Sequence, residues 1–341
     1  MSDKRRKVLK NTVAFAAAVT AMSALAISAS AESTEPADSI DDLLSNVGDT
    51  EAGQSTENNT TTTVDRLLGG AADYSVFVKN DFTVTGADCP GNIAVGGSAS
   101  MPDDYTTGSS TVINNITSGS TMNGSVTTEE AGIDMESEFE NLRNVSQELA
   151  GIESNGTVEK DQYNSNIYFN GVDDKVNVFN LTVDEYIKLN ETGNAAFYFN
   201  VPEGATIITN VLGDGSIILA AGSGAYYNGN ALANDSPYNS NILFNVTSAD
   251  VAIGNAAGSL LAPTSNVTSV DGGNRHFEGQ LICLNYNGAN EFGSSTFIDD
   301  DTQEKLDQEI IVDDDDPAGE DDTDFDGDSD VDETEGDSDT D

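Results

Sequence analysis

From Leu67 to Ile298 the chain never keeps an apolar run for long: short apolar stretches are broken every few residues by Gly, Asn, Asp or Ser. Val76 and Val78, then Phe82 and Val84, then Ile242, Phe244 and Val246 each lie two apart, the spacing that buries one face of an extended segment. Polar residues fill the positions between. Glycine, present 32 times, and asparagine supply turn conformations at low cost, so short strands can corner repeatedly. The pattern predicts a mainly β domain over residues 66–298, wound as a coiled solenoid of short strands in preference to long hairpins. No fixed period marks a regular repeat family.

One helix interrupts the strands. Met135, Phe139, Leu142, Val145, Leu149 and Ile152 advance by three or four residues, which gathers apolar side chains on a single helical face. Asp134 can cap its start, Glu136 and Glu138 suit the positive end of its dipole, and Gly151 or Gly156 can end it. Thr182-Val183-Asp184-Glu185 reads as a capping box for a second, shorter helical turn running to about Leu189.

The two ends have a different character. Lys4, Arg5, Arg6, Lys7 and Lys10, then the apolar stretch from Thr12 to Ile27, then Ala29-Ser30-Ala31 read as a signal peptide over residues 1–31 with an A-x-A cleavage site. A membrane helix needs about 20 apolar residues and is not expected there. Arg5-Arg6-Lys7-Val8-Leu9-Lys10 also resembles a twin-arginine signal, which would export the protein folded. Residues 32–65, rich in Ser, Thr, Glu, Asp and Asn, read as a disordered polar linker. The formal net charge is −47, yet 23 of the 60 acids sit in residues 299–341, so the tail is a dedicated solvated, disordered segment on a mildly acidic body. Such a balance repels polyanions, which excludes nucleic acid as a partner and disfavours anionic lipid.

Three blocks in order carry a family resemblance. Asp73 to Val84 followed by Gly91-Asn92-Ile93-Ala94-Val95-Gly96-Gly97 forms the first, and the long helix is the second. The third runs Asn241 to Asn245, Gly258 to Pro263 and Phe277 to Ile282, closing near Asn290-Glu291-Phe292. Together they resemble the choice-of-anchor A adhesin-type domain of bacterial surface proteins. That resemblance implies a secreted or cell-surface adhesive domain, similar to the right-handed β-helix of ice-binding-like proteins, with the long helix packed along its side. No sorting pentapeptide, apolar span or basic end follows Ile298, which departs from the varied anchors of that family.

Residues with chemical potential are few. Asp322, Asp324, Asp326, Asp328, Asp330 and Glu333 fit an EF-hand-like calcium loop around Gly327, although Ser329 stands where an apolar anchor is usual and no helices flank the loop. Cys89 and Cys283, both in an exported body, are candidates to pair with each other. His276 is the only histidine; with no G-x-S-x-G elbow to serve, it reads as a turn residue beside Gly272-Gly273. Asp173, Asp174 and Asp214 could contribute to a glycosidase pair, but all sit in turn contexts where solvated acids are common. Tyr226, Tyr227 and Tyr238 could stack on sugars, against the alternative that they cover the fold.

The expectation is a secreted, non-enzymatic adhesin that binds an extracellular-matrix, glycan or cell-surface ligand, requires no cofactor and has no membrane span. Two rivals stand beside it, an ice- or glycan-surface binder and a polysaccharide-degrading β-helix enzyme.

Overall fold

A computed structural model describes residues 66–163, 165–234, 236–270 and 275–297. The expected signal peptide, the linker 32–65, the acidic tail and the calcium-loop residues Asp322 to Glu333 lie outside the described residues. The fold begins with β1 (Val76–Val78), β2 (Phe82–Val84), β3 (Ile93–Ser100) and β4 (Val112–Ser118), then helix α1 (Met135–Gly151). There follow β5 (Thr157–Lys160), β6 (Ile167–Asn170), β7 (Val176–Thr182), helix α2 (Val183–Asn190) and β8 (Phe197–Asn200). The chain continues through β9 (Thr206–Leu212), β10 (Ser216–Leu219), β11 (Ala225–Tyr227), β12 (Asn230–Ala231), β13 (Ile242–Val246) and β14 (Asp250–Ile253). It ends in β15 (Ala256–Ala257), β16 (Ser259–Ser269), β17 (Arg275–Glu278), β18 (Leu281–Gly288) and β19 (Asn290–Phe292). The domain is mainly β, as the alternation predicts.

Nearly every strand pairing is parallel, which requires each strand to be followed by a segment that carries the chain away and back. The pairings fall into three ladders. The first stacks β4, β3, β1, β18, β16, β13, β9 and β7 through their first halves. In the second, β10 and β14 meet the second halves of β16 and β18, then β2, β3 and β4. The first two ladders form one eleven-stranded sheet, because β3, β4, β16 and β18 run through both. The third ladder consists of a five-stranded sheet, β12-β11-β8-β6-β5, and a three-stranded sheet, β15-β17-β19. In the five-stranded sheet only the outer strands β5 and β12 pair antiparallel.

Strand order in the first ladder explains the long helix. Since β1 lies between β3 and β18, the chain builds outward from the middle to β4 and must then reach β7 at the opposite edge. From the level of β3 to that of β7 is six strand steps, roughly 29 Å at ordinary spacing. The 17 residues of α1 span about 26 Å, so the helix serves as the crossover. Its predicted details hold: Asp134 accepts from the backbone N–H of Glu136 and Ser137, and the last helical residue is Gly151. Lys79 on the sheet side pairs with Glu136 at 2.7 Å, and Phe77 of β1 stacks on Phe139 at 5.6 Å between centroids. Thr182 and Glu185 form the capping box of α2 as expected.

Alternation sorts side chains between two cores. Val76 and Val78 point into the core between the ladders, while Phe77 joins Met135, Phe139, Leu142 and Leu149 in a second core under α1. The same lid changes the reading of β13. Ile242, Phe244 and Val246 face the inner core as expected, but the residues between them are buried as well, because Leu243 packs under α1 and Asn245 bonds to Ser146 of the helix.

The expected Cys89–Cys283 bridge is not formed. Both thiols are free and buried, each donating to the carbonyl two residues on, Cys89 to Gly91 and Cys283 to Asn285. Their positions in separate turns of chain, each with a local acceptor, leave no reason for pairing. Burial pushes the Cys89 thiol up to about 12 and raises that of Cys283 as well. A thiol that stays protonated is a poor nucleophile. Ellman's reagent should therefore find no reactive thiol in the native protein and two in non-reducing denaturant; finding none in denaturant would restore the disulfide.

Candidate surface-binding faces

Outward positions of the first ladder are covered by α1, so exposed sheet is left on the other two. On the second, the outward residues form two rows in register. One row runs Ser216, Asp250, Asn266, Asn285, then past Asp81 to Ser98 and Asn115. The other runs Ile218, Ala252, Thr268, Asn287, Thr83 and Ser100. Inward neighbours such as Val251, Val267, Tyr286, Phe82 and Ala99 hold these strands against the core.

From Asp250 onward the first of these rows is a continuous hydrogen-bond chain. Asn266 N donates to Asp250 Oδ1 at 3.0 Å, Asn285 Nδ2 to Asn266 Oδ1 at 2.8 Å, and Asp81 N to Asn285 Oδ1 at 3.2 Å. Ser98 N then donates to Asp81 Oδ1 at 3.0 Å and Asn115 Nδ2 to Ser98 Oγ at 3.2 Å. Amides locked this way have lost their rotamer freedom before any ligand arrives, which lowers the entropic cost of contact. Rows repeat at the strand spacing of about 4.8 Å, so the face is a small lattice of hydroxyls, amides and methyls with two carboxylates, Asp250 and Asp81, among them. Neither row contains a lysine or arginine. Beside Ser216, Ile218 and Thr268, the end of α2 closes a cleft of about 490 Å³ with Ile187 and Glu191 on its wall.

The third ladder presents a different surface. Tyr168, Tyr198 and Tyr226 stand in register on β6, β8 and β11, with ring centroids 5.0 and 4.7 Å apart and planes inclined by 25° and 8°. Asn170 and Asn200 form the adjacent row, joined at 2.8 Å. Burial, and after it the neighbouring phenols of Tyr226 and Tyr168, raise the middle one, Tyr198, above its ordinary range. Of the tyrosines singled out in the sequence, only Tyr226 belongs to this stack. Tyr227 is fully buried and bonds to the Pro202 carbonyl, and Tyr238 stacks on it at 4.4 Å while donating to Glu203. Those two cover the fold, the alternative weighed in the sequence. Tyr168 and Tyr198 were missed, although Ile167-Tyr168-Phe169-Asn170, Phe197-Tyr198-Phe199-Asn200 and Ala225-Tyr226-Tyr227-Asn228 repeat one pattern at intervals of 30 and 28 residues.

His276 is not a turn residue. It lies in β17, where Nε2 meets the carboxylate of Glu278 and Nδ1 faces Glu291 at 3.4 Å. Glu278 is 6% exposed. Both groups line a depression of about 230 Å³ at the gap between the five- and three-stranded sheets. The alternating strand brings them together, since residues two apart share a face. Asp173, Asp174 and Asp214 do not gather: Asp173 caps a turn by accepting from Lys175 N at 2.7 Å and Val176 N at 3.1 Å, and Asp174 and Asp214 are exposed. Among the described residues no group of three or more His, Cys, Asp or Glu is placed to hold a metal, and no helix is long and apolar enough to cross a membrane.

The profile of a family described as an ice-binding-like adhesive domain matches residues 67–129 and 106–294. No curated protein matches the sequence. Solved structures with similarity include a glycosylated ice-binding protein, LeIBP, from an Arctic yeast, at 16% identity and a TM-score of 0.34, over 71% of this chain and 97% of that one. An ice-binding protein from an Antarctic Flavobacteriaceae bacterium aligns at 14% identity and TM-score 0.36, over 67% and 48% of the two chains. The ice-binding protein 1 domain of Shewanella frigidimarina aligns at 14% and 0.31, over 67% and 96%.

Proposed function

The chain belongs to the family of the ice-binding-like adhesive domain, and on that premise we propose that it is a non-enzymatic surface-binding protein, exported from the cell, that engages an ordered, hydroxyl-rich surface through its second ladder. In this reading the three ladders are the faces of a right-handed β-helix, and the resemblance of the ordered sequence blocks supports the choice-of-anchor A type within the wider family.

One observation carries the proposal: the hydrogen-bonded row from Asp250 through Asn266, Asn285, Asp81 and Ser98 to Asn115, flanked by Ala252, Thr268, Asn287 and Thr83. A rigid grid of hydroxyls, amides and methyls, with the Asp250 and Asp81 carboxylates serving as acceptors within the row, suits a partner that repeats its own polar groups and is itself ordered, because many weak contacts then form together at little entropic cost. Ice and crystalline neutral glycans are both of this kind. Adhesion to either requires no reaction, and the hydroxyl and amide side chains of the row are already paired with one another rather than poised on a nucleophile.

The test is retention. Full-length protein should concentrate in ice grown slowly on a cold finger, or co-sediment with crystalline cellulose or chitin, where an unrelated acidic protein of similar net charge remains in solution. Absence from all three solids would remove the proposal. Release of new reducing ends from the polysaccharides would favour the enzymatic rival.

A further inference from the structure

We propose that the depression between the five- and three-stranded sheets, with the tyrosine stack that leads to it, is a second binding site, for the end of a soluble neutral glycan chain. It is built from different residues than the second ladder and does not depend on that face binding anything. Gly222, Gly224, Asn234, Asn255, His276 and Glu278 line it. At about 230 Å³ it holds one monosaccharide and is smaller than pockets that enclose drug-sized ligands.

Its polar groups have the inventory that sugar recognition uses. Glu278 is almost wholly buried on the wall of the depression; His276 holds one of its oxygens, and the other packs against Gly293, whose lack of a Cβ makes room for it, so the carboxylate is fixed in place. Asn255 accepts from His276 N through Oδ1 at 2.9 Å, which orients its amide and leaves the Nδ2 donors open. A fixed carboxylate acceptor beside a fixed amide donor can take two neighbouring hydroxyls of a pyranose, each of which both gives and receives a hydrogen bond.

The tyrosines extend the site. Gly224 has a φ of +104°, and a Cβ there would stand 3.3 Å from the Tyr226 hydroxyl, so Tyr226 leans over the rim of the depression. Tyr198 and Tyr168 continue the line away from it, one ring per strand, with Asn200 and Asn170 alongside. Because the rings stack on each other, they present edges and hydroxyls outward rather than faces. That is a striped surface, apolar edge and polar tip, which matches the alternating C–H and O–H edges of a glycan lying along it.

Charge decides the class of sugar. Glu278 and Glu291 flank a single imidazole, and no lysine or arginine lines the depression among the described residues. A uronate or sulfated chain would be repelled there and by the acidic chain as a whole.

Calorimetry on the full chain tests this with neutral hexasaccharides of β-1,4-glucose, β-1,3-glucose and β-1,4-xylose, and with a hexagalacturonate. At least one neutral oligosaccharide should bind and the uronate should not. Asn255→Ala, Tyr198→Ala and Glu278→Gln should each weaken that binding by about tenfold, the fold-change expected for one lost hydrogen bond or stacking partner in a desolvated site. Asn255 and Tyr198 are surface positions, so their variants keep the test decisive if Glu278→Gln fails to fold. No binding of any neutral chain, equal binding of the uronate, binding that survives all three substitutions, or hydrolysis of the bound oligosaccharide would each overturn the proposal. Thr268→Tyr on the second ladder should leave oligosaccharide binding intact. If that variant abolishes it, the sugar sits on the second ladder and only the present proposal falls.

Discussion

Asn210→Leu should destabilise the domain by about 3 kcal/mol, several times the effect of a surface substitution. Asn210 is fully buried beneath α1. Its Nδ2 donates to the Leu149 carbonyl at 2.7 Å and to Asn180 Oδ1 at 2.7 Å, and its own Oδ1 accepts from Asn245 Nδ2 at 2.9 Å. Asn245 donates as well to the Ser146 carbonyl and accepts from the Ser146 hydroxyl at 2.6 Å, while Asn180 donates to the Ile152 carbonyl at 2.7 Å. Three asparagines on β7, β9 and β13 thus donate to carbonyls along the C-terminal end of the helix, at Ile152, Leu149 and Ser146, and tie it to the sheet.

Leucine is similar in size, so the substitution opens little space and isolates the hydrogen bonds. It removes three hydrogen bonds at once, to the Leu149 carbonyl, to Asn180 Oδ1 and from Asn245 Nδ2, each worth roughly 0.5–1.5 kcal/mol net. For a domain of this length the loss corresponds to a fall in melting temperature of about 9 °C, at 2–4 °C per kcal/mol. Urea titration should show a lower midpoint at unchanged slope. A loss below about 1 kcal/mol would mean that the ladder is dispensable and that apolar packing alone holds α1. Because the members share partners, Asn210→Leu and Asn245→Leu together should cost less than the sum of their separate effects.

This ladder marks how far the sequence could be read. The apolar stripe from Met135 to Ile152, its Asp134 cap and the Thr182 capping box are local signals, and the helices form where those residues place them. The strands at Val76, Phe82 and Ile242 were legible from alternation for the same reason. Asn180, Asn210 and Asn245 read instead as the polar, solvent-facing members of that alternation. Nothing local distinguishes an asparagine under a helix from one in water; the difference comes from α1, which packs over these strands from elsewhere in the sequence.

The binding faces were hidden by the same kind of distance. Thr83, Ser100, Thr268 and Asn287 become one row only after chain segments about 200 residues apart are laid side by side, with β1 and β2 inserted next to β18. By contrast, the tyrosine stack did leave a mark, in three related tetrapeptides. Their spacing is irregular because the loops between strands differ in length, and a search for one fixed period passes over them. His276 was misplaced because the glycines before it outweighed the alternation of Arg275, Phe277 and their neighbours, which puts His276 and Glu278 on one side of β17.

Thr268→Tyr should remove at least about nine-tenths of the binding to ice or crystalline glycan, a tenfold or greater loss, while leaving the melting temperature nearly unchanged. Thr268 lies near the middle of the second ladder, exposed, with Ala252 on one side and Asn287 on the other. Its side chain points away from the core, and tyrosine is at home in a strand, so the fold has no reason to respond. A flat solid partner does. A phenol standing above the plane of Ala252 and Asn287 holds the surface away from both rows, and contacts that fall off within a fraction of an ångström are lost all together rather than one by one. Thr268→Val removes one hydroxyl and keeps the shape, so its effect should be slight, within about threefold, because no single weak contact carries the interaction. That pair of outcomes separates a lattice-wide contact from a hot spot: a local anchor at Thr268 would make valine nearly as damaging as tyrosine. Full binding by Thr268→Tyr would place the adhesive surface elsewhere on the domain.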